Sequence, residues 1–353
     1  MNIAFYTKCL SRGGAERVTV SVCDYLSKTD DNIFIINQIK GNKEYSCPTD
    51  VERIILDKRS HNYFAIVKHL RKVLKSKKID VLIVMGVSNC IYAIPASYNL
   101  KTKVIVSERN DPNHFYGKPI VKYLSRFLMK KADGFVFQTR NARDFYDFDV
   151  DKTAIIYNPI TLPPTVKKEI TNHRKEIVNV GRLVRQKNQK CLIKAFSIIQ
   201  KRHKDYTLAI YGEGDLHNEL EDYINKLGLQ KNVNLKGNTK NVLDEIKDAA
   251  LFVLSSDFEG MPNALIEAMV LGLPVISTDC PIGGPSELIE NEVNGILVPV
   301  ADVDALAGAM DLVINDYVNA SRMGENAKKI YEKLQIESIG AQWAAFILKV
   351  YKI

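Results

Sequence analysis

Short apolar runs alternate with longer amphipathic segments along most of the chain, and this alternation constrains the fold more than any other feature. The runs are apolar at consecutive positions, as in strands buried on both faces of a parallel sheet. The segments between them have apolar residues at helical spacing, which predicts sheets covered by helices on both faces. The predicted strands are Ile3–Tyr6, Ile33–Ile36, Val81–Met85, Val104–Val106, Phe135–Phe137, Ile177–Val180, Leu208–Tyr211, Val233–Leu235, Phe252–Leu254 and Val275–Ser277, and the predicted helices are Gly14–Ser27, Tyr63–Ser76, Lys118–Lys131, Asn188–His203, Leu216–Leu227, Pro262–Leu271 and Val303–Asn315.

The length and one proline-bearing stretch predict two domains. A chain of 353 residues accommodates two domains of about 100–200 residues each. The polar stretch from Asn158 to Lys175 contains three prolines and is the natural hinge between them. We therefore expect two doubly wound α/β domains, over residues 1–160 and 176–336, with a linker over 161–175 and a last helix at about 337–353 that packs back on the first domain.

Composition favours a cytoplasmic globular protein. Hydrophobic residues make up 46% and charged residues 25% of the chain, which are ordinary globular values. The start, Met1 to Leu10, resembles a buried strand and lacks the layout of a signal peptide, and no stretch approaches the roughly 18 apolar residues of a membrane span. The six cysteines are scattered, without a CxxC pair or clustered histidines, so we expect free thiols and no metal site.

The charge is concentrated in the first half. Residues 1–160 contain 26 Lys and Arg against 16 Asp and Glu, a net charge of +10, whereas the remainder contains 23 against 25, a net charge of −2. A basic half next to a neutral one suggests an anionic partner, although a lysine-rich genome produces the same bias without any function. Nucleic acid is not the expected partner, because no basic strip interleaved with aromatic residues accompanies the pI of 9.0.

The loops that follow strands are the places to look for chemistry, because ligands of open α/β sheets bind at the carboxyl ends of the strands. The nearest match to a dinucleotide fingerprint is Gly212-Glu-Gly214-Asp-Leu-His217, which lacks the third glycine, and no Walker A loop is present. Two other loops are more informative. Gly13 and Gly14 open a helix after the first strand, and Arg182 and Lys187 follow the strand Ile177–Val180.

Each of these two loops has a ligand-binding and a structural interpretation. Glycines at a helix start let a ligand approach the backbone and its free N–H groups, but they also make tight turns. An arginine and a lysine five residues apart are a suitable clamp for a diphosphate, but loop cations are more often simply solvated.

A pair of glutamates marks the most specific stretch, Ser255-Ser-Asp-Phe-Glu-Gly-Met-Pro-Asn-Ala-Leu-Ile-Glu-Ala-Met. Glu259 lies in a predicted strand-to-helix turn, and Glu267 lies about a turn and a half into the helix that Pro262 begins. Carboxylates accept hydrogen bonds from adjacent sugar hydroxyls, and the backbone N–H groups of such a turn suit phosphate oxygens. The structural alternative is a capping acid and an exposed helical glutamate.

This stretch resembles the E-x7-E signature of the family 4 retaining glycosyltransferases, which have the GT-B fold of two doubly wound Rossmann-like domains facing a central cleft. Further segments resemble the family in the order in which it carries them, from residue 11 to about 300. They are Gly13-Gly-Ala-Glu16, Ile156-Tyr-Asn-Pro159, Gly181-Arg-Leu183 with Gln186-Lys-Asn188, Tyr211-Gly-Glu-Gly214 and Asn294-Gly-Ile-Leu-Val-Pro299.

The resemblance implies roles for these residues, with the acceptor on the N-terminal domain and the donor on the C-terminal one. Glu267 holds the ribose of the donor nucleotide, Glu259 contacts the transferred sugar, and Arg182 and Lys187 neutralise the leaving diphosphate. The catalytic set implied is therefore Glu259, Arg182 and Lys187. The rest of the donor cradle is Gly13 and Gly14, where the N-terminal loop approaches the phosphate, with the backbone of Gly260, Met261, Pro262, Asn263 and Ala264.

One loop departs from the family. Many members carry a histidine facing the sugar where this chain has Ser107-Glu-Arg-Asn-Asp-Pro112, and we expect His114 to lie too far along the loop to replace it. This loop and Cys280-Pro-Ile-Gly-Gly-Pro285 are similar to those of members that extend surface polysaccharides or lipid-linked oligosaccharides. The acceptor-side candidates are Glu108, Arg109, Asn110 and Asp111, with a polar loop held by Asp-Pro turn chemistry as the alternative. The catalytic base stays open, because the family mechanism lets the leaving phosphate take the acceptor proton.

The activity that the resemblance implies is transfer of a hexose or N-acetylhexosamine, with retention, from a nucleotide-diphosphate sugar, most simply UDP-linked. The acceptor is a glycan or a polyprenyl-diphosphate-linked glycan, and no cofactor or divalent metal is expected, since no Asp-x-Asp motif is present. A nucleotide-sugar epimerase of similar fold and a non-catalytic nucleotide-sugar binding protein are the alternatives.

Two basic amphipathic segments predict contact with an anionic membrane surface or a lipid diphosphate, at the inner face of the cytoplasmic membrane. In Lys118–Lys131, cations alternate with apolar residues at helical spacing, and Tyr63–Lys75 has the same character. The apolar residues of the first segment are Ile120, Val121, Leu124, Phe127 and Leu128. The alternative is that this stripe packs on the parallel sheet, as in most α/β proteins.

Overall fold

The computed structural model describes residues 1–11, 13–56, 62–114, 119–161, 174–239 and 241–353. These residues form two units, one made of Met1–Pro159 with Leu334–Ile353 and the other of Ile160–Lys333. Most of the predicted linker, residues 162–173, lies outside the described residues. Its last two residues belong to a strand that starts at Arg174.

The first unit is built on a parallel sheet in which seven strands are described. Its order is β3-β2-β1-β4-β5-β6-β7, and Ile3 of the central strand pairs with Ile33 on one side and Val81 on the other. The strands are β1 (Asn2–Thr7), β2 (Asn32–Asn37), β3 (Glu52–Ile55), β4 (Val81–Met85), β5 (Lys103–Ser107), β6 (Gly134–Phe137) and β7 (Thr153–Ile155), and the helices are α1 (Gly14–Leu26), α2 (Tyr63–Ser76), α3 (Cys90–Ser97), α4 (Pro119–Met129) and α5 (Arg140–Tyr146).

The second unit repeats the design with a sheet in which six parallel strands are described, in the order β10-β9-β8-β11-β12-β13. Its core joins Phe196 and Met310 from two helices to Ile210 and Val253 of the sheet. The strands are β8 (Arg174–Val180), β9 (Thr207–Tyr211), β10 (Val233–Gly237), β11 (Ala249–Leu254), β12 (Val275–Thr278) and β13 (Ile296–Val298), and the helices are α6 (Gln189–Ile199), α7 (His217–Lys226), α8 (Val242–Ile246), α9 (Asn263–Val270), α10 (Val303–Asn315), α11 (Tyr317–Lys328) and α12 (Ile330–Leu334).

The last helix, α13 (Ile336–Lys352), belongs to the first unit. Its Trp343 is fully buried, with its ring centroid 6.0 Å from that of Phe5 in β1. Gly340 of the same helix lies against the ring of Tyr25 in α1. The chain thus returns to the first unit after it has completed the second.

The predicted fold class is confirmed. Both sheets are parallel, each has the strand order of a doubly wound fold, and the ten strands predicted from apolar runs are all present. All six cysteines are free thiols. In the part of the chain that the structure describes, no helix is both long enough and apolar enough to span a membrane.

Candidate functional site

The centre of the second sheet brings two of the predicted loops side by side. β8 and β11 are neighbours, and the strand order runs outward from them in opposite directions, towards β10 on one side and β13 on the other. This is a topological switch point, where the loops at the carboxyl ends leave a crevice for a ligand. The loop after β8 carries Arg182 and Lys187, and the loop after β11 carries Glu259.

Several hydrogen bonds hold these two loops together. The Asp257 backbone N–H donates to Gln186 O at 2.8 Å, the Ser255 hydroxyl donates to Lys187 O at 2.9 Å, and Asn188 Nδ2 donates to Asp257 Oδ1 at 2.6 Å. Asn188 adopts a left-handed conformation with φ of 44° and caps α6 by accepting from the Cys191 N–H. The loops therefore form one ordered surface rather than two solvated segments.

Glu259 is buried at this surface, with only 6% of its area exposed. Its carboxylate accepts a hydrogen bond from the Lys187 ammonium, which forms an ion pair with it, and another from the Ser256 hydroxyl at 2.7 Å. Gln186 Nε2 approaches the second carboxylate oxygen at 3.5 Å and also donates to Phe258 O at 2.8 Å. The ammonium and the hydroxyl thus satisfy a carboxylate whose burial would otherwise be costly.

Glu267 lies in α9 and is 4% exposed, so it is not the solvated helical glutamate of the structural alternative. α9 begins at Asn263, after Pro262, and the predicted backbone cradle from Gly260 to Ala264 forms the turn into its first residues. The first N–H groups of a helix lack partners within the helix and favour anions. A turn of this kind, which follows Glu259 directly in the chain, suits an anionic ligand.

The loop that follows β12 packs against this turn. A Cβ at Gly284 would lie 1.5 Å from Gly260 O, so only glycine permits the contact. In the same loop, the buried Cys280 thiol donates to Ser256 O at 3.2 Å. Desolvation raises the pKa of this thiol to about 12, with a further increase from the charge of Glu259. Cys280 is therefore a neutral packing group and not a nucleophile.

The side chain of Arg182 is open to solvent, whereas Gly212 lies in close contact with the backbone of the neighbouring loop. The Arg182 side chain is exposed, while its carbonyl accepts from Gln189 Nε2 at 2.9 Å. Gly212 has φ of +141°, and a Cβ there would lie 2.0 Å from Gly181 O. The segment Gly212-Glu-Gly214 after β9 thus packs against the loop that carries Arg182. This close packing explains its glycines without a bound dinucleotide.

The loop after β1 in the first unit carries the predicted glycines. Gly13 is the N-cap of α1, which starts at Gly14, and Arg12 lies outside the described residues. Glu44 fixes the segment just before this loop, because its carboxylate accepts hydrogen bonds from the Leu10 N–H at 3.3 Å and from the Arg53 guanidinium at 2.8 Å. The hydrogen bond from Arg53 lowers the pKa of Glu44 to about 2, so its carboxylate is ionised under all ordinary conditions.

The loop after β5 contains the four acceptor-side candidates, and its first carboxylate is turned inward. Glu108 is 8% exposed and accepts from the Tyr146 hydroxyl at 2.7 Å and from the Arg109 N–H at 2.9 Å. Desolvation raises the pKa of Glu108, although these hydrogen bonds oppose the shift. Its contacts order the loop from inside.

Arg109 and Asp111 also point to other residues of the same unit. The guanidinium of Arg109 lies 5.9 Å above the Trp343 ring, and burial lowers its pKa to about 10. Asp111 is 1% exposed, and its carboxylate lies 2.7 Å from His114 Nδ1. Asn110 is half-buried, with its N–H 3.3 Å from Glu108. The imidazole that looked too distant in sequence is therefore held at this loop, with its side chain 47% exposed.

Some of the contact residues at these loops were not predicted. Gln186 and Ser256 hold Glu259, while Tyr146 and Arg126 hold the loop after β5. Gln186 and Ser256 are inside the segments that resemble the family, where a signal existed. Tyr146 is the last residue of α5, 38 positions after Glu108, and no sequence spacing indicates that contact.

Two family models match the chain, "Glycosyl transferases group 1" over residues 165–330 and "Glycosyltransferase Family 4" over residues 12–162. A Campylobacter jejuni relative, GalNAc-alpha-(1->4)-GalNAc-alpha-(1->3)-diNAcBac-PP-undecaprenol alpha-1,4-N-acetyl-D-galactosaminyltransferase, is 30% identical over 361 residues, covering 99% of this chain and 99% of the relative.

Solved structures agree with this match at the level of the fold. A Staphylococcus aureus TarM variant in complex with fondaparinux, alpha-GlcNAc-glycerol and UDP superposes with a TM-score of 0.82 at 16% identity, over 98% of this chain and 99% of that one. HepE from Anabaena in complex with UDP gives a TM-score of 0.78 at 19% identity, over 99% and 100%.

The two Rossmann-like units, with their polar loops at the carboxyl ends of parallel strands, have the GT-B fold, and the family matches identify the chain as a glycosyltransferase. Within that class, the chain belongs to glycosyltransferase family 4.

Proposed function

We propose that this glycosyltransferase transfers a hexose or N-acetylhexosamine from a UDP-sugar to a glycan or a polyprenyl-diphosphate-linked glycan. The anomeric configuration of the donor is retained in the product. The observation that carries the proposal is the buried Lys187–Glu259 pair at the switch point of the second sheet. UDP is chosen because the TarM and HepE structures contain it. The acceptor class follows the name of the Campylobacter jejuni relative.

The pair suits a ligand that carries both a diphosphate and a sugar. The Lys187 ammonium has three donors, and only part of its capacity is used on Glu259, so it can also contact a phosphate oxygen. Glu259 then offers its carboxylate to sugar hydroxyls and to the positive charge that develops on the sugar ring. Glu267 is proposed to hold the ribose, and the exposed Arg182 is proposed to fold onto the diphosphate.

In the proposed reaction, the bond between the anomeric carbon and the diphosphate oxygen breaks as the acceptor oxygen forms its bond on the same face. The acceptor proton passes to the departing phosphate oxygen, so no protein nucleophile is needed. Arg182 and Lys187 offset the charge that accumulates on the diphosphate, and for this reason we propose that no divalent metal is required. We also propose that the enzyme works as a peripheral protein at the inner face of the cytoplasmic membrane.

The test is a panel of UDP- and GDP-sugars with a synthetic polyprenyl-diphosphate-linked glycan, in the presence of a chelator. We expect transfer from a UDP-sugar under these conditions, and proton NMR of the first-formed product should show the anomeric configuration of the donor. An inverted anomer, or activity restored only by magnesium or manganese, would contradict the proposal.

The same panel separates the two alternative functions. An epimerase would convert the donor without any acceptor, and NMR of the donor alone would show this. A non-catalytic nucleotide-sugar binding protein would bind the donor and leave it unchanged with every acceptor.

A further inference from the structure

The helix α4 turns its apolar face to solvent. Ile120, Tyr123, Leu124 and Phe127 are 71%, 69%, 44% and 62% exposed, and their spacing places them on one stripe of the helix. The fully buried residues of α4 are instead Ser125 and Met129. Of the five apolar residues predicted to form the stripe, Ile120, Leu124 and Phe127 are exposed, and Val121 and Leu128 are partly buried. The alternative that the whole stripe packs on the sheet therefore does not hold for the three exposed residues.

The cations of this region divide into two groups. Lys130 and Lys131, directly after α4, are exposed. Lys122 Nζ donates to Asn113 O at 3.2 Å, and Arg126 donates to Pro112 O. Arg126 also lies 5.0 Å from the centre of an aromatic ring, that of Phe145. The first group is directed to solvent, and the second is bound to the loop that carries the acceptor-side candidates.

We propose that α4 lies in the interface of an anionic lipid bilayer, with Ile120, Tyr123, Leu124 and Phe127 at the boundary between headgroups and acyl chains. An exposed apolar stripe on a helix marks a site for a membrane or a protein. An anionic bilayer matches the rest of this surface, because Lys130 and Lys131 flank the stripe and residues 1–160 carry a net charge of +10.

Docking in this way has a consequence for the acceptor. Because Lys122 and Arg126 tie α4 to residues 112 and 113, the loop after β5 would be held beside the headgroups when the helix is docked. This part of the inference rests on the proposed function, since it assigns the docked loop to a lipid-linked acceptor. The docking surface itself is independent of the reaction.

The experiment is flotation of the full-length protein with vesicles of phosphatidylglycerol or of phosphatidylcholine. We expect binding to the first and much weaker binding to the second. The triple variant Ile120→Ser, Leu124→Ser, Phe127→Ser should reduce the partition coefficient on the order of 100-fold or more, because three apolar side chains no longer insert. Lys130→Gln with Lys131→Gln should reduce it by about 30-fold at low salt and less at high salt.

A matched control lies in the second unit. Leu312, Tyr317 and Val318 are 52%, 60% and 81% exposed, and their replacement by serine should leave vesicle binding unchanged. Circular dichroism and calorimetric binding of UDP should be the same for all variants. If wild type binds vesicles but not UDP, the proposed function fails and the docking surface stands.

Three outcomes would overturn the docking proposal. They are equal partitioning of the wild type and the α4 triple variant, equal binding to both lipids at low salt, and a wild-type dimer that becomes monomeric in the triple variant without any vesicle binding. The last result would show that the stripe is an interface between copies of the chain.

Discussion

At the scale of single residues, an ion pair, a hydrogen bond and burial together fix the position of the Glu259 carboxylate. It is buried, paired with Lys187 and hydrogen-bonded by Ser256. Removal of one partner from a buried ion pair leaves the other charge uncompensated, which is costlier than removal of both. The site is therefore sensitive to any change that alters this pair, even one that leaves the size of the side chain intact.

We expect Glu259→Gln and Glu267→Ala to have different effects. Loss of a charged hydrogen-bonded contact costs about 1.5–3 kcal/mol, or roughly 10–150-fold. In Glu259→Gln that loss should fall mainly on kcat, because the carboxylate is assigned to the sugar. In Glu267→Ala it should fall on the affinity for UDP, measured by calorimetry. Unchanged UDP binding in Glu267→Ala would show that the ribose assignment is wrong.

Individual contacts were predictable only where a motif carried them. The positions of Lys187 and Glu259 after two strands follow from the sequence, because ligand loops of such sheets lie at strand ends. The contact of His114 with Asp111 was underestimated, because residues 111–114 form a turn in which the His114 N–H donates to Asp111 O at 3.0 Å. A turn brings together residues that an extended chain would separate.

At the scale of elements, the donor-side turn depends on two loops in backbone contact. Gly284 and Gly260 approach so closely that a methyl group cannot be accommodated without moving a carbonyl. The loop after β12 therefore fixes the backbone of the turn that precedes α9. It acts on the proposed donor site only through that turn.

We expect Gly284→Ala to lower the free energy of unfolding by about 1–3 kcal/mol, because the new methyl group overpacks a backbone contact. UDP affinity should fall as well, since Gly260 belongs to the proposed donor cradle. Urea unfolding followed by circular dichroism and calorimetry are the two measurements. The control is Gly308→Ala in α10 of the same unit, where nothing lies within 4 Å of the added carbon; this change should stabilise by about 0.5–1 kcal/mol. Equal effects of both changes would show that the close contact has no importance.

Elements were predictable where a continuous apolar run marked a strand or an apolar stripe at helical spacing marked a helix. The strand Val81–Met85 and the helix Tyr63–Ser76 have the predicted bounds. β3 and β7 were not predicted, because they are partly exposed edge strands, without the run of apolar residues that a central strand has. α3 was missed because it is short, apolar on all sides and contains Pro95. For α4 the helix was predicted, but periodicity does not state which way an apolar stripe faces.

At the scale of the whole molecule, α13 completes the core of the first unit. Phe346 is 6% exposed, whereas Leu348, two positions later, is 41% exposed. The chain has a single tryptophan, Trp343, which is buried in the same unit. Its fluorescence therefore reports on the first unit alone.

We expect Phe346→Ala to lower the free energy of unfolding of the first unit by roughly 3–5 kcal/mol, because it leaves a cavity under the sheet. Tryptophan fluorescence in urea measures this. Leu348→Ala, in the same helix, should change it by less than about 0.5 kcal/mol. Similar losses in both variants would mean that α13 stabilises the unit through its helix alone and not through its buried face.

The return of the chain to its first unit sets the order in which the molecule can be completed on the ribosome. Domains generally fold as they emerge, the N-terminal one first. Here the first unit lacks α13 until the whole of Ile160–Lys333 has been made, which at ordinary rates of translation takes roughly 10–35 s. During that interval the surfaces of Phe5 and Tyr25 that α13 later covers have no partner. The second unit is continuous in sequence and can therefore form its native core before the first unit is complete. The first unit, although it is synthesised earlier, is completed only when α13 packs on it. Until then it exposes an apolar surface to which chaperones can bind.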